Sequence, residues 1–183
     1  MWQKSCIKPY NQLCIGVVGP TGPTGPAGAA GATGPTGPAG TSGILSYADF
    51  FALMPPDNAA TVAPGTDVSF PQDGPNSGTS ISRASASTFN LEDIGTYLIQ
   101  FQVSVTEAGQ LVLTLNGSEL AYTVVGRATG TTQIVEMAIV TTTAINSILT
   151  VRNPADNAAA LTITPVSGGT EPVSAHLVIT QIG

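Results

Sequence analysis

The chain offers few side chains that could perform catalysis or hold a metal ion. Among its 183 residues there is one histidine, His176, and there are two cysteines, Cys6 and Cys14. Multi-histidine and four-cysteine metal sites therefore cannot be assembled within one chain. The neighbouring carboxylates Glu92 and Asp93 have no histidine or lysine close in sequence and are interpreted as solvated turn residues. The sequence predicts a protein that is not an enzyme and needs no cofactor.

His176 stands in the last predicted strand, between Ala175 and Leu177, and strand alternation points its side chain away from the face of both neighbours. It is interpreted as a structural or surface residue, because no serine or cysteine nucleophile motif accompanies it. In a trimer, three copies of one aspartate could bind calcium on the symmetry axis. The sequence does not select among the candidates, which are Asp67, Asp73 and Asp156.

The composition excludes several classes of protein. Only 9% of the residues are charged and 42% are hydrophobic, which argues against a disordered chain and against a nucleic-acid binder. Residues 1–46 hold two lysines and no acid, a sum of +2, whereas the rest holds three arginines against all eleven acidic residues, a sum of −8. We therefore expect weak attraction at low salt between the basic start of one copy and the acidic body of another.

A strict period of three governs the segment from Gly16 to Gly43. Its glycines enclose nine complete Gly-X-Y triplets without a slip, and proline fills five X positions. In a collagen triple helix, three polyproline II chains crowd every third residue onto the common axis, where only glycine fits. The pattern predicts a homotrimeric collagen stalk over residues 16–43. Its axial residues are Gly16, Gly19, Gly22, Gly25, Gly28, Gly31, Gly34, Gly37, Gly40 and Gly43.

This stalk is expected to be short and marginally stable. At roughly 3 Å per residue it would extend for about 80 Å. Alanine stands at several positions where proline would lower the ordering cost. A neighbouring domain must therefore hold the three chains together and raise their effective concentration, and residues 44–183 are predicted to be that trimerisation head.

From residue 44 onward the pattern changes to short β-strands. Alternation and β-branched residues predict about ten strands without a helix, which is typical of an all-β jelly roll or sandwich. The clearest strands are predicted at Tyr97–Val105, Leu111–Leu115, Leu120–Val125, Ile134–Val140, Ile148–Val151, Leu161–Thr164 and Ala175–Ile182. Weaker strands are predicted at Ser46–Met54, Asp67–Phe70, Ile81–Ala86 and Thr88–Leu91.

Turn signals separate these strands. Asn116 and Gly117 are predicted to supply the two positive-φ residues of a type I′ turn, in a tight hairpin over Leu113–Leu120. Asn116-Gly-Ser118 also matches a glycosylation sequon, but the turn explains these residues on its own. Further turns are predicted at Pro55-Pro56, Asp73-Gly74-Pro75 and Gly168-Gly169.

Several head motifs carry a family resemblance. Gly95, Tyr97 and Phe101 form a G-x-Y-x-x-x-F pattern, followed by the hairpin over Leu113–Leu120 and the apolar last strand Leu177–Ile182. With the collagen-like stalk, these features resemble the trimeric jelly rolls of complement C1q and tumour necrosis factor. More narrowly, the chain resembles the collagen-like exosporium glycoproteins of bacterial endospores, although its stalk is much shorter than is usual for them.

The resemblance implies a place on the spore surface, in the exosporium or an appendage. Proteins of that family are made in the mother cell, which fits the absence of a predicted secretory signal and of any apolar run long enough for a membrane span. In the family, threonine of Gly-Pro-Thr triplets carries O-linked sugar. The corresponding residues are Thr21, Thr24 and Thr36, which also have a simpler interpretation as tolerated exposed Y positions.

Residues 1–15 belong to neither stalk nor head and are predicted to be an N-terminal connector. Cys6 and Cys14 would lie roughly 25 Å apart in an extended tail, at about 3.3 Å per residue, so disulfides between chains are expected rather than a bridge within one chain. The apolar residues that could dock the connector are Trp2, Ile7, Tyr10, Leu13 and Ile15.

Two classes of function remain open at this point. The first is a self-assembling homotrimeric subunit of a spore-surface fibre, whose tail docks on a preceding trimer or on a basal-layer protein. The second is a receptor- or surface-binding module, such as an adhesive or phage-type tip, which would use the C1q-like head. Neither involves nucleic acid or a membrane.

Overall fold

The computed structural model describes residues 18–34, 43–54, 57, 61–129, 132–163 and 168–183. The chain divides into two compact units, Met1–Ala39 and Gly40–Gly183. In the first unit, the described residues form neither helix nor strand and are exposed to solvent. None of the glycines between residues 18 and 34 has a positive φ, as is expected of an extended polyproline-type backbone.

The second unit is built from short antiparallel strands. Its described residues hold thirteen of them and a single three-residue 3-10 helix at Ala121–Thr123. The strands are β1 Ser46–Met54, β2 Thr61–Val62, β3 Gln72–Ser77, β4 Ile81–Arg83, β5 Phe89–Leu91, β6 Thr96–Val105, β7 Gly109–Leu115, β8 Ser118–Glu119, β9 Val125–Arg127, β10 Thr132–Thr141, β11 Ser147–Arg152, β12 Leu161–Thr162 and β13 Val173–Gln181.

Two sheets form the sandwich. One has five strands in the order β10-β6-β13-β1-β3, and the other follows the order β4-β5-β11-β7-β8, with β9 also paired to β7. A short pair, β2 with β12, lies apart from both. The first and last strands of the head, β1 and β13, pair along their whole length, from Ser46 opposite Gln181 to Met54 opposite Val173. The predicted all-β jelly-roll head is confirmed.

Strand alternation places the apolar side chains between the two sheets. In β13 the buried residues alternate with half-buried ones, so Ala175, Leu177 and Ile179 face the core and His176 faces outward, as predicted. Aromatic side chains fill the centre of the sandwich. Phe50 and Phe70 both contact the ring of Phe89, with ring centroids 4.6 and 6.1 Å away.

Different contacts explain Gly95 and Tyr97 of the G-x-Y-x-x-x-F pattern. A Cβ at Gly95 would lie 2.5 Å from the carbonyl oxygen of Gly183, so only glycine lets the C-terminus pass here. The Thr96 amide donates to that same carbonyl at 2.6 Å. Tyr97 is fully buried and its hydroxyl donates to the Asp93 carbonyl at 2.8 Å, which satisfies the one polar atom of the ring.

The predicted hairpin is confirmed. Asn116 and Gly117 have φ values of 52° and 84°, the signs that a type I′ turn requires, and the Leu120 amide donates to the Leu113 carbonyl at 2.9 Å. The strand predicted at Leu120–Val125 is wrong, because a 3-10 helix occupies its centre. Thr123 is buried there, and its hydroxyl accepts a hydrogen bond from the Leu113 amide and donates one to the Leu120 carbonyl. These bonds take the place of backbone pairing between strands.

Two further predictions are corrected around the sheet edges. Asp73-Gly74-Pro75 is not a turn between strands but lies inside β3, an edge strand, where proline needs no ladder partner for its nitrogen. Asp67–Phe70 is not a strand, because only Asp67 forms an isolated bridge, with Arg152. Val68 and Phe70 are nevertheless fully buried, so their apolar pattern indicated burial and not strand pairing. The Pro55-Pro56 turn lies outside the described residues.

Candidate functional site

The outer face of the five-stranded sheet carries large side chains that the described chain leaves exposed or half-buried. Strand register aligns them in rows across the sheet, for example Met137, Gln100, Val178 and Asp49 on β10, β6, β13 and β1. We call this surface the open face. Its residues are Tyr47, Asp49, Phe51 and Leu53 of β1, Leu98, Gln100 and Gln102 of β6, Val135, Met137 and Ile139 of β10, and His176, Val178 and Thr180 of β13.

The most apolar part of the open face follows the edge strand β10. Val135, Met137 and Ile139 are 60%, 67% and 55% exposed. Tyr122 extends the patch, since its hydroxyl donates to the Ile139 carbonyl at 3.0 Å while its side chain stays in solvent. A contiguous apolar surface on an edge strand is costly in a monomer and is typical of an interaction surface.

A polar pair stands within this surface. His176 Nδ1 lies 3.0 Å from Asp49 Oδ1, and the imidazole stacks on the ring of Phe51 with centroids 5.7 Å apart and an interplanar angle of 26°. Both polar side chains are half-buried. The imidazole is therefore held by an acceptor on one side and by an aromatic face on the other.

The position of Asp49 depends on an irregularity in its neighbouring strand. The register between β1 and β3 shifts between Ala48 and Phe50, so β3 carries an extra residue opposite Asp49. Gly74 makes this close approach possible, because a Cβ there would lie 3.0 Å from the Asp49 carbonyl oxygen and 3.2 Å from its Cβ. The Asp-Gly-Pro segment that predicted a turn thus supports the Asp49–His176 pair.

A shallow cavity of about 180 Å³ adjoins His176 on the open face. Gln100, Gln102, Val135 and Val178 contribute to its wall. Glu136 also reaches this wall, although its side chain is buried by strand alternation on the inner side of β10. Desolvation raises the pKa of Glu136, and its Oε2 has no hydrogen-bond partner among the described residues.

A second, more polar cleft lies at the edge of the sandwich, between β1, β3 and β4. It has a volume of about 430 Å³, and its polar wall includes Asn76, Ser82 and Glu92. Arg83 crosses the gap between the sheets and donates two hydrogen bonds to the Asp73 carboxylate, at 2.8 and 2.7 Å. These hydrogen bonds lower the pKa of Asp73.

The aspartates proposed for an axial calcium ion lie in different surroundings. Asp67 accepts hydrogen bonds from Arg152 Nε at 2.7 Å and from the Thr150 hydroxyl at 2.9 Å, and Asp73 pairs with Arg83. Asp156 lies in an exposed loop. Within the part of the chain that the structure describes, no three His, Cys, Asp or Glu side chains are grouped closely enough to hold a metal ion.

Among the described residues, no helix is long and apolar enough to cross a bilayer.

In the described part of the repeat, contacts within the chain do not explain why every third residue is glycine. A Cβ added to any of the glycines from Gly19 to Gly34 would meet no atom of the same chain within 4 Å. Contacts within one described chain therefore do not require glycine at these positions. Thr21 and Thr24 are exposed to solvent. The remaining predicted site residues lie outside the described residues: Trp2, Cys6, Ile7, Tyr10, Leu13, Cys14, Ile15, Gly16, Thr36, Gly37 and Gly40.

Comparison with protein families decides the relationship of the head. A sequence profile described as the BclA C-terminal domain matches residues 57–183. The chain belongs to this family. The predicted relationship to the collagen-like exosporium glycoproteins is therefore confirmed. No curated protein matches the chain.

Solved structures similar to this BclA C-terminal domain share its fold at low identity. Murine APRIL at pH 5.0 superposes with a TM-score of 0.51 at 18% identity, covering 74% of this chain and 98% of that one. The globular domain of zebrafish complement 1qA superposes with a TM-score of 0.51 at 9% identity, covering 74% and 95%. At these identities the likeness concerns the fold, and it confirms the predicted C1q- and tumour-necrosis-factor-like head.

Sequence reasoning missed the most organised part of the BclA-type head. Asp49 and Phe51 lie 127 and 125 positions before His176, and no local pattern joins them. The alternation of the last strand predicted that His176 faces away from Ala175 and Leu177, but the pairing of β13 with β1 is visible only in the folded sheet. Val135, Met137 and Ile139 gave a readable signal, since they are apolar at every second position of β10 on the face opposite the buried Ile134 and Val140.

Proposed function

We propose that this protein is a non-enzymatic, homotrimeric structural subunit of a spore-surface fibre. Residues 16–43 of three chains form a collagen triple helix, and residues 44–183 of each chain hold the trimer together through the open face. The observation that carries the proposal is the exposed apolar row on β10, formed by Val135, Met137 and Ile139.

In this trimer, the open face is covered by a second copy of the chain. The glycine period has no explanation within one described chain but is required where three chains share an axis. Gly43 ends the repeat three residues before Ser46, the first residue of β1, and β1 belongs to the sheet that carries the open face. A triple helix would therefore deliver three open faces to one place at high effective concentration.

The assembly of trimers into a fibre would use the N-terminal connector, residues 1–15. Trp2, Ile7, Tyr10, Leu13 and Ile15 would anchor this segment on the head of a preceding trimer or on a basal-layer protein. Such a head-to-tail contact does not close on itself, so it continues into a filament. The basic start and the acidic remainder of the chain would favour the encounter. The membership of the exosporium family supports assembly on the spore surface. Synthesis in the mother cell is part of the proposal.

Light scattering of the full chain tests the trimer. The wild type should have the mass of three chains, and Met137→Lys should dissociate it, because an ammonium group would be placed in the contact. Ile145→Lys is the matched control, since Ile145 is 66% exposed against 67% for Met137 and lies outside the open face. A Met137→Lys protein that stays as trimeric as the control would refute the role of the open face, and a monomeric wild type would refute the trimer.

A binding module is the second candidate, and the 430 Å³ cleft beside Arg83 favours it. Its polar wall suits a hydroxyl-rich ligand such as a surface carbohydrate more than an apolar one. An array of immobilised glycans, screened with the wild type and with Asn76→Ala, tests this function. Binding that Asn76→Ala removes would support it, whereas an array without saturable binding would count against it.

A further inference from the structure

His176 occupies a distinctive place on the open face. It is the one histidine of the chain, and it stands on β13, the middle strand of the five-stranded sheet. Its imidazole is fixed by the Asp49 carboxylate at 3.0 Å and by stacking on Phe51.

The contact with Asp49 determines the tautomer. A carboxylate oxygen can only accept a hydrogen bond, so Nδ1 of neutral His176 carries the proton and donates it to Asp49. The lone pair is then on Nε2, for which no partner occurs among the described residues. A carboxylate behind Nδ1 is the arrangement that orients histidine ligands in metal sites and makes them more basic.

The surroundings of His176 would keep a bound cation in a defined place. The adjoining cavity of about 180 Å³ is lined by Val135, Val178, Gln100, Gln102 and also Glu136. Asp49 and His176 are the only charged or basic side chains of the open face as defined above. A single imidazole is too few ligands for a metal ion, so any such site must be completed by further copies of the chain.

We propose that three copies of His176 meet at the threefold axis and bind one divalent cation that prefers imidazole ligands, such as Zn²⁺, through their Nε2 atoms. This inference rests on the trimer proposed above, since the open face supplies one ligand per chain. Three imidazoles leave a fourth tetrahedral position for water. The paired Asp49 carboxylates would offset the charge of the cation and hold each ring at the angle that the metal needs.

Calorimetric titration of Zn²⁺ into the full chain tests the site. Cys6→Ser and Cys14→Ser are included throughout so that thiolates do not bind the metal. We expect one Zn²⁺ per three chains. His176→Gln should abolish this binding. Asp49→Asn should weaken it by about 10- to 100-fold, because a neutral amide oxygen accepts a weaker hydrogen bond than a carboxylate and orients the imidazole less firmly. Asp156→Asn, which changes an exposed carboxylate outside the open face, should bind as the wild type does.

Light scattering on the same samples separates the two proposals. A trimer that binds no Zn²⁺, that binds one per chain, or that keeps its Zn²⁺ in His176→Gln overturns the metal site and leaves the trimer standing. A protein that is monomeric both with and without Zn²⁺ overturns both. One Zn²⁺ per three chains, lost in His176→Gln while that variant remains trimeric, supports both.

Discussion

Glu107 accepts two hydrogen bonds from Thr162, one from its amide at 2.7 Å and one from its hydroxyl at 2.5 Å. Glu107 lies in the loop between β6 and β7, and Thr162 lies in β12, so this carboxylate fastens a distant segment to the rim of the sandwich. The hydroxyl of Thr162 makes the largest contribution to a pKa lowered from 4.5 to about 2, against a smaller opposing effect of desolvation. The contact is therefore strongest with the charged carboxylate.

This pKa predicts an acid-dependent contribution to stability. A carboxyl with a lowered pKa in the folded state stabilises it above the unfolded value and loses that effect as the pH falls towards about 2. At pH 7, Glu107→Gln should lower the free energy of unfolding by about 1 kcal/mol, which is measured as a lower urea midpoint. The variant should also lose part of the decrease in stability that the wild type shows between pH 4.5 and 2. Glu171→Gln, at an exposed position, is the control. Equal urea midpoints for the two variants at pH 7 would contradict the prediction.

A side chain at Gly95 should destabilise the fold, because the C-terminal residues pass directly over this position. Gly95→Ala would force a methyl group to within 2.5 Å of the Gly183 carbonyl oxygen and displace the bond to the Thr96 amide. We expect a loss of about 1–3 kcal/mol in the free energy of unfolding. Gly169→Ala is the matched control, since nothing lies within 4 Å of a Cβ there. Thermal unfolding of both variants at one protein concentration measures the difference, and equal midpoints would show that the C-terminus can move aside.

If the proposed collagen stalk forms, the effect of a substitution in it depends on the position in the triplet. Gly28→Glu should disrupt the triple helix without unfolding the head, because three carboxylates would be forced onto an axis that has room only for glycine. Ala29→Glu places the same side chain at an exposed X position and should be tolerated. Limited proteolysis should cut Gly28→Glu near the substitution and leave an intact head. Equal resistance of the two variants would show that the chain forms no triple helix.

The cysteines of the connector predict covalent links between chains. In the proposed assembly, Cys14, close to the start of the repeat, would join chains within a trimer and Cys6 would reach a neighbouring molecule. Such disulfides would persist because the exterior of a spore is oxidising. Non-reducing gels of assembled protein should show dimers and higher species that collapse on reduction. The double variant Cys6→Ala with Cys14→Ala should make assemblies less resistant to heat and denaturant. A single monomeric band with both thiols open to alkylation would disprove these links.

Local patterns predicted the parts of the fold whose cause is local. The hairpin at Asn116 and Gly117 was readable because a type I′ turn needs two residues that adopt positive φ. The span of β1, Ser46–Met54, agrees with the weaker strand predicted there, and burial alternates along it although apolar side chains occur on both of its faces. Prediction was poor at Thr123 and at Asp73-Gly74-Pro75, where a buried hydroxyl or an edge position gives the backbone an alternative to the expected structure.

The sequence by itself determined the all-β head, the period-three glycine repeat and the family, since strand alternation and the repeat depend on neighbours two or three residues away. Only the tertiary structure decided that Asp49, Phe51 and His176 meet, and that Val135, Met137 and Ile139 remain uncovered beside them. The pairing of β1 with β13 and of β6 with β10 brings together residues far apart in the chain. No local rule specifies such a register, because it is selected by the packing of the whole sandwich.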